Sequence, residues 1–375
     1  MPKRFRLNRF AGARPADDAQ HHDNTASDRT HGLAPLADSR FLFPLPGIIM
    51  SPTGAIFKTG EPNMLSVFRA LLLAVVLLSP VFDSMSLAKE PALSPTQPTP
   101  SEMAKRAGVK LPSLPWHLAD FWWVFDKPIE DFKRLEIEIT IDRDIPDSYN
   151  LYISPVGLAR INGLDFYGGL QTNVNGWATK TSRTRVHPGM GAIFSRWSRD
   201  KKKPIGLDHV RKLKDGLCES AGYEGQFCSV RRPFRWGRGT HVFTIAKGKT
   251  EKNQTWFDCR VRKKGETKGV DVGGLRFEGS KFSYWARHSA FVEVYSTSKI
   301  PRSGIPKVNV TFGYPRFNGR RPKLKRAYAI HPDSGVAASP ACARVLGRGQ
   351  DVRVEVGAIF KRKPERRVYD VLLAQ

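Results

Sequence analysis

Apolar and polar residues alternate with a period of two along much of the chain. The clearest run is Leu135 to Asp142, Leu-Glu-Ile-Glu-Ile-Thr-Ile-Asp. Successive strand residues point to opposite sides of a sheet. Leu135, Ile137, Ile139 and Ile141 therefore share one face, and Glu136, Glu138, Thr140 and Asp142 the other. The same pattern predicts strands over 150–154, 166–172, 192–197, 239–246, 254–262, 273–277, 290–295, 307–312, 326–330 and 351–360. Gly, Pro, Asn and Asp separate these runs. Only 204–217 leaves room for a short helix. Many short strands with Gly/Pro turns predict an all-β chain, folded as a β-sandwich of jelly-roll type over 116–297. Residues 298–375 extend that domain or form a small second β unit.

One apolar run breaks the pattern. Ala70 to Pro80 reads Ala-Leu-Leu-Leu-Ala-Val-Val-Leu-Leu-Ser-Pro, with Arg69 before it and Ser86-Leu87-Ala88 after it. A basic start, an apolar centre and small residues at a cleavage site are the layout of a signal peptide, here 64–88 from Met64, with Met50 as a second start. The run is shorter than the roughly 20 residues a membrane-spanning helix needs, so no transmembrane segment is expected after cleavage. The expected localisation is exported: periplasmic, cell-surface or extracellular. Residues 1–63 show no helical or alternating period and are read as a disordered or over-extended N-terminus. His21-His22 lies in this tract and is not read as a metal site. Residues 89–115 are rich in Pro, Ser and Thr and are read as a semi-extended linker.

Charge adds a partner class. The chain has 61 Lys and Arg against 35 Asp and Glu, for a net +26, of which about +24 lies in residues 89–375. Basic residues cluster at 201–203, 231–232, 260–264, 320–326 and 361–367. Such a balance favours an anionic polysaccharide or another cell-surface polymer. No helix-turn-helix, zinc-finger or RNA-recognition signature is present, so sequence-specific reading of nucleic acid is not expected. Four cysteines, at 218, 228, 259 and 342, predict up to two disulfides in an oxidising compartment, with Cys218–Cys228 the favoured pair. Their spacing fits no zinc site, and no cofactor is expected.

Four stretches then occur in order. They are Phe166-Tyr167-Gly168-Gly169-Leu170-Gln171-Thr172-Asn173, Ala192-Ile193-Phe194-Ser195-Arg196-Trp197, Gly222-Tyr223-Glu224-Gly225-Gln226 and Arg235-Trp236-Gly237-Arg238-Gly239-Thr240-His241-Val242-Phe243. Together they resemble an uncharacterised family of exported bacterial proteins with Tyr-Phe-Gly-Ile-Gln and Ile-Phe-Ser-x-Trp-Asp strands, a Gly-Glu-Gly turn and a Trp-x-x-Gly-x-x-Tyr strand start. The similarity spans about Trp116 to Phe360. Ser198 stands where the family often has Asp, and His241-Val242-Phe243 replaces the Tyr-containing strand start. The resemblance implies a lectin- or glucanase-like β-sandwich and supplies no activity.

All eight Trp lie between residues 116 and 285, and about five are expected in the core. Exposed indoles stack on the C–H faces of sugars while Arg and amides take hydroxyls or carboxylates. Trp197 beside Arg196, and Trp236 beside Arg235, suit an anionic glycan, with Gln171 and Asn173 as amide partners. The preferred function is therefore non-catalytic binding of an anionic or cell-surface polysaccharide. One alternative is a glycan hydrolase or lyase using Glu224, a loop carboxylate between Cys218 and Cys228 that could equally pair with Arg231 or Arg232. The other is a basic adhesion protein with no sugar preference. The acidic strand face at Glu136, Glu138 and Asp142 is read as solvated.

Overall fold

A computed structural model describes residues 98–112, 114–223, 225–295, 304–332 and 338–374. The signal-peptide run, residues 1–63 and Glu224 lie outside the described residues. A short helix, α1 (Pro100–Arg106), precedes the strands. These are β1 (Trp116–Phe125), β2 (Arg134–Ile141), β3 (Leu151–Ile161), β4 (Leu164–Trp177), β5 (Arg185–Trp197), β6 (Val210–Arg211), β7 (Leu217–Ala221), β8 (Phe227–Pro233) and β9 (Gly239–Glu251). They continue with β10 (Gln254–Lys263), β11 (Val270–Glu278), β12 (Arg287–Val294), β13 (Val308–Phe312), β14 (Arg316–Phe317), β15 (Leu324–Ile330), β16 (Ala343–Arg348), β17 (Asp351–Val356) and β18 (Val368–Asp370).

The strands form two antiparallel nine-stranded sheets packed as a sandwich. The first has the order β18-β15-β1-β12-β3-β4-β5-β8-β7. The second runs β16-β17-β13-β2-β9-β10-β11-β6, with β14 also paired to β2. Strands beyond residue 304 enter both sheets. The chain is therefore all-β.

The alternation read from the sequence sets the burial. Leu135, Ile137, Ile139 and Ile141 on β2 face the core, and Glu138 and Thr140 face outward. Phe166 from the first sheet meets Phe277 from the second edge to face, with centroids 6.1 Å apart at 87°. Phe257 meets Phe277 at 5.3 Å and 78°. Such geometry suits the ring quadrupoles and fills a sandwich interior about 10 Å thick. Gly168 belongs to this contact. A Cβ there would lie 2.9 Å from both the Phe243 ring and the Ile193 carbonyl, so only glycine lets the second sheet's Phe243 approach β4. The β3–β4 hairpin turns on Asn162-Gly163, both at positive φ, as a two-residue turn with matching twist requires.

Two expectations are corrected. The helix expected over 204–217 is a single 3-10 turn, Leu207–His209, followed by β6 paired to β11. Val210 is buried there, and strand pairing gives its backbone partners that a short isolated helix would lack. Helix forms instead within the Pro-rich stretch, where Thr99 and Glu102 make a reciprocal capping box. The predicted disulfide is absent, and all four cysteines are unpaired and buried. In the β7–β8 hairpin Cys218 stands opposite Val230 and Cys228 opposite Ser220, so the two sulfurs occupy diagonal positions. Diagonal residues are about 7–8 Å apart, beyond the Cα separation that an S–S bond spans. The Cys218 thiol instead points at the carbonyls of Trp177 (3.7 Å) and Thr179 (3.5 Å). Burial pushes the Cys228 thiol up to about 12, which keeps it protonated and unreactive.

Candidate functional site

The segment that crosses from β8 in the first sheet to β9 in the second builds a cleft at the rim of the sandwich. Trp236 anchors it. Its indole is buried and its N–H donates to the carbonyls of Gln171 (3.2 Å) and Gly191 (3.1 Å). The β4–β5 register shifts just past Gln171, so a side chain from elsewhere satisfies carbonyls that the regular ladder does not. With Trp236 turned inward, Arg235 and Arg238 are exposed on either side of it. The end of β10 and the turn after it form the opposite wall with Arg262, Lys263 and Lys268. The open cleft has a volume of about 530 Å³, within the range of small-molecule sites.

Charge in the cleft is poorly neutralised. Its acids are Asp144 and Glu266. The Asp144 carboxylate accepts the Arg238 backbone N–H at 2.8 Å, and Arg262 donates only to the carbonyls of Lys263 and Glu266. Arg235, Arg238, Lys263 and Lys268 form no ion pair among the described residues. By contrast, Lys264 pairs with Glu138 at 2.8 Å and Arg260 with Asp271 at 3.4 Å. Four cations without an ion-pair partner among the described residues give this concavity a positive lining.

A second depression of about 360 Å³ adjoins the first through Arg262 and includes Glu136, Glu138, Lys264, Arg316, Arg321 and Asp351. Its lining sets Glu136, Glu138 and Asp351 against Arg262, Lys264, Arg316 and Arg321, a smaller excess of cations than in the first. Arg134 holds Glu136 at 2.7 Å, Lys264 holds Glu138, and Asp142 accepts from Asn309 at 2.7 and 2.8 Å. These carboxylates are engaged by cations and amides on a solvated face.

The residues singled out from the sequence fall in three places. Arg235 lies in the cleft, with Trp236 as its buried wall and the carbonyl of half-buried Gln171 behind it. Trp197 faces outward on β5, 4.8 Å from the Tyr167 ring centroid, with the Lys201 ammonium 5.3 Å from its own. Asn173 and Arg196 are buried and structural. The Asn173 amide donates to the Asp147 carbonyl (2.5 Å) and to Asn150 Oδ1 (2.9 Å), and its backbone N–H donates to Tyr295 Oη at 2.9 Å. The Arg196 guanidinium lies 4.9 Å from the Phe277 ring and donates to the Arg276 carbonyl, and burial draws its pKa down. Four of the eight Trp are buried, namely Trp116, Trp123, Trp177 and Trp236.

Among the described residues, which leave out Glu224, Arg231 and Arg232 pair with Glu219 and Asp215. Arg232 reaches Asp215 at 3.4 Å. Arg231 is buried against Glu219 at 2.5 Å, on the outward side of β7 and β8. Arg185 also pairs with Glu219, and Tyr223 Oη donates to it at 3.2 Å. Burial alone would raise the Glu219 carboxyl, but the Arg231 and Arg185 guanidiniums outweigh it and hold the carboxyl below its usual value. Nothing in the alternation announces this group, because a charged pair on β7 and β8 reads as a solvated face.

The chain matches no protein-family model and no curated protein. Among the described residues, no helix is long and apolar enough to cross a membrane, and no three His, Cys, Asp or Glu side chains gather where a metal could be held.

Proposed function

We propose that this chain is an exported, non-catalytic binder of an anionic polysaccharide and that the rim cleft holds the polymer. The observation that carries this reading is the set of four uncompensated cations, Arg235, Arg238, Lys263 and Lys268, around one concavity. Guanidinium forks match carboxylate and sulfate oxygens, and lysines supply further charge without fixed geometry. A two-sheet sandwich is in keeping with the lectin- and glucanase-like likeness of the sequence motifs. The apolar run at 70–80 supports the exported setting.

The test is retention of the full chain on immobilised acidic and neutral polysaccharides. Acidic polymers should retain it at about 0.1 M NaCl and release it progressively toward about 1 M, where the Debye length falls to roughly 3 Å. Arg235→Ala combined with Arg238→Ala should weaken retention about tenfold or more, as loss of two charge-assisted contacts implies. Equal retention of the double variant would remove the cleft from the reading. New reducing ends or unsaturated products would replace it with an enzyme. Retention set by polymer charge density alone would leave an adhesion protein.

A further inference from the structure

The outward face of the first sheet is aromatic. Six strands that follow one another in the sheet each carry one outward ring: Tyr328 on β15, Trp122 on β1, Phe291 on β12, Tyr152 on β3, Tyr167 on β4 and Trp197 on β5. At about 4.8 Å per strand the row covers roughly 24 Å. Among the described residues, strands on the outward face of the second sheet offer Trp256 alone. Tyr152 and Tyr167 form a small buried cluster with Ile193, against which Trp197 and Phe291 pack, and Trp122 and Tyr328 lie outside that cluster. Inward positions on the same strands, such as Phe121, Trp123, Ile153, Phe166 and Phe194, already fill the interior. An outward face of an antiparallel sandwich is ordinarily polar.

Tyr152 and Tyr167 at the middle of the row are buried, whereas Trp122 and Tyr328 at one end are half-exposed. Trp122 and Tyr328 stand directly opposite in the β1–β15 ladder with ring planes 9° apart and centroids 6.3 Å apart. Trp285 closes the group, 6.0 Å from Trp122 at 72°. The Trp285 indole N–H is buried with no hydrogen-bond partner. Guanidiniums sit over two of these rings, and a third cation is exposed nearby. Arg160 lies 4.7 Å from the Trp285 centroid and Arg326 4.8 Å from that of Tyr328, and exposed Arg287 forms no ion pair among the described residues.

We infer that Trp122, Trp285 and Tyr328 form a second glycan contact, a stacking platform for the C–H face of a pyranose whose acidic substituent meets Arg287. The inference rests on the polysaccharide reading for the class of ligand but on a different part of the molecule for the site. Aligned half-exposed rings offer an apolar surface of sugar size, and the unpaired Arg287 beside them complements a uronate or sulfate. The two contacts differ in physics. The cleft attracts through charge and fades with salt, while stacking buries apolar surface and survives it. A ligand engaging both would show a salt-sensitive and a salt-resistant component.

Affinity electrophoresis of the full chain through gels containing members of a panel of acidic and neutral polysaccharides, at about 0.1 M and about 1 M NaCl, separates them. The platform requires residual retardation by at least one polysaccharide at high salt. Trp122→Ala and Tyr328→Ala should each cut that residue about tenfold, a loss of the size expected for one well-stacked ring. Trp256→Ala on the opposite sheet should leave it unchanged and controls for general loss of an outward Trp. Circular dichroism of each variant guards against misfolding, and Tyr328→Ala is the milder change should Trp122→Ala fail to fold. Vanishing high-salt retention across the panel, or unchanged retention in both aromatic variants, overturns the platform and leaves the cleft standing. Absence of low-salt retention, or its indifference to Arg235→Ala with Arg238→Ala, overturns the cleft instead.

Discussion

The two outward faces of this sandwich solve the same problem in opposite ways. On the second sheet, ion pairs such as Lys264–Glu138 stand in water, with side chains 58% and 46% exposed. On the first sheet, Glu219 and Arg231 form the same kind of pair with side chains 0% and 5% exposed, beneath Tyr223 and Arg185. Two like bonds in unlike surroundings have very different consequences when broken. Exposed pairs contribute little because water and salt compete for both partners. A buried pair leaves a stranded charge if one partner is removed.

The largest effect expected is therefore at Glu219. Glu219→Leu should lower stability by about 3–5 kcal/mol in urea unfolding, because Arg231 is then charged, enclosed and unmatched. A loss below about 1 kcal/mol would place that pair in the same class as the surface bridges. Acid sharpens the contrast. His288 and His331 both belong to the first sheet's surroundings, and burial pulls each down to about 4. His288 accepts from Tyr284 Oη at Nδ1 (2.5 Å) and donates from Nε2 to the Pro155 carbonyl (2.8 Å), a neutral arrangement. An unfolded histidine takes a proton near 6.5, so the unfolded chain binds more protons between about 6.5 and 4. Stability should fall as pH drops through that window. The Glu219 carboxyl, held low by its arginines, adds its own loss only below the ordinary carboxylate range. NMR titration of the two imidazoles checks the histidine assignment; midpoints near 6.5 would show them open to solvent. Smallest is Lys264→Ala on the second sheet, expected to change stability by about 1 kcal/mol or less in the same unfolding assay.

How much of this was legible follows from what alternation encodes. β2, β9, β10 and β13 announced themselves because one face is apolar and the other polar. β1 was hidden. Trp122 and Val124 on its outward side are as apolar as Trp123 and Phe125 on its inward side, and a two-sided strand has no period to read. β7 and β8 were hidden for the converse reason. Glu219 and Arg231 look like solvent-facing charges, and only the sheet's register shows that they lie diagonal to each other across a hairpin, Glu219 opposite Ser229 and Arg231 opposite Leu217. Of the cleft, Arg235 and Trp236 were visible as neighbours. Arg238 stands two residues past Trp236, whereas Lys263 and Lys268 join them only through the turn of β9 and β10, which brings residues about thirty positions apart onto one rim. The inward turn of Trp236 was equally invisible, since it depends on carbonyls exposed by a register shift two strands away.

The order of strands along the chain also sets a clock. β1 lies between β12 and β15, and β2 between β9 and β13, so the first strands made are interior members of their sheets. The earliest partner of β1 begins at Arg287. With synthesis at roughly 5–20 residues per second, β1 waits about 8–30 s before a neighbour exists. Throughout that interval its indoles and Phe residues have nowhere to go, and closure of either sheet depends on contacts between distant parts of the chain. This topology makes the nascent chain a late folder, one whose tertiary structure cannot form until most of its length is available.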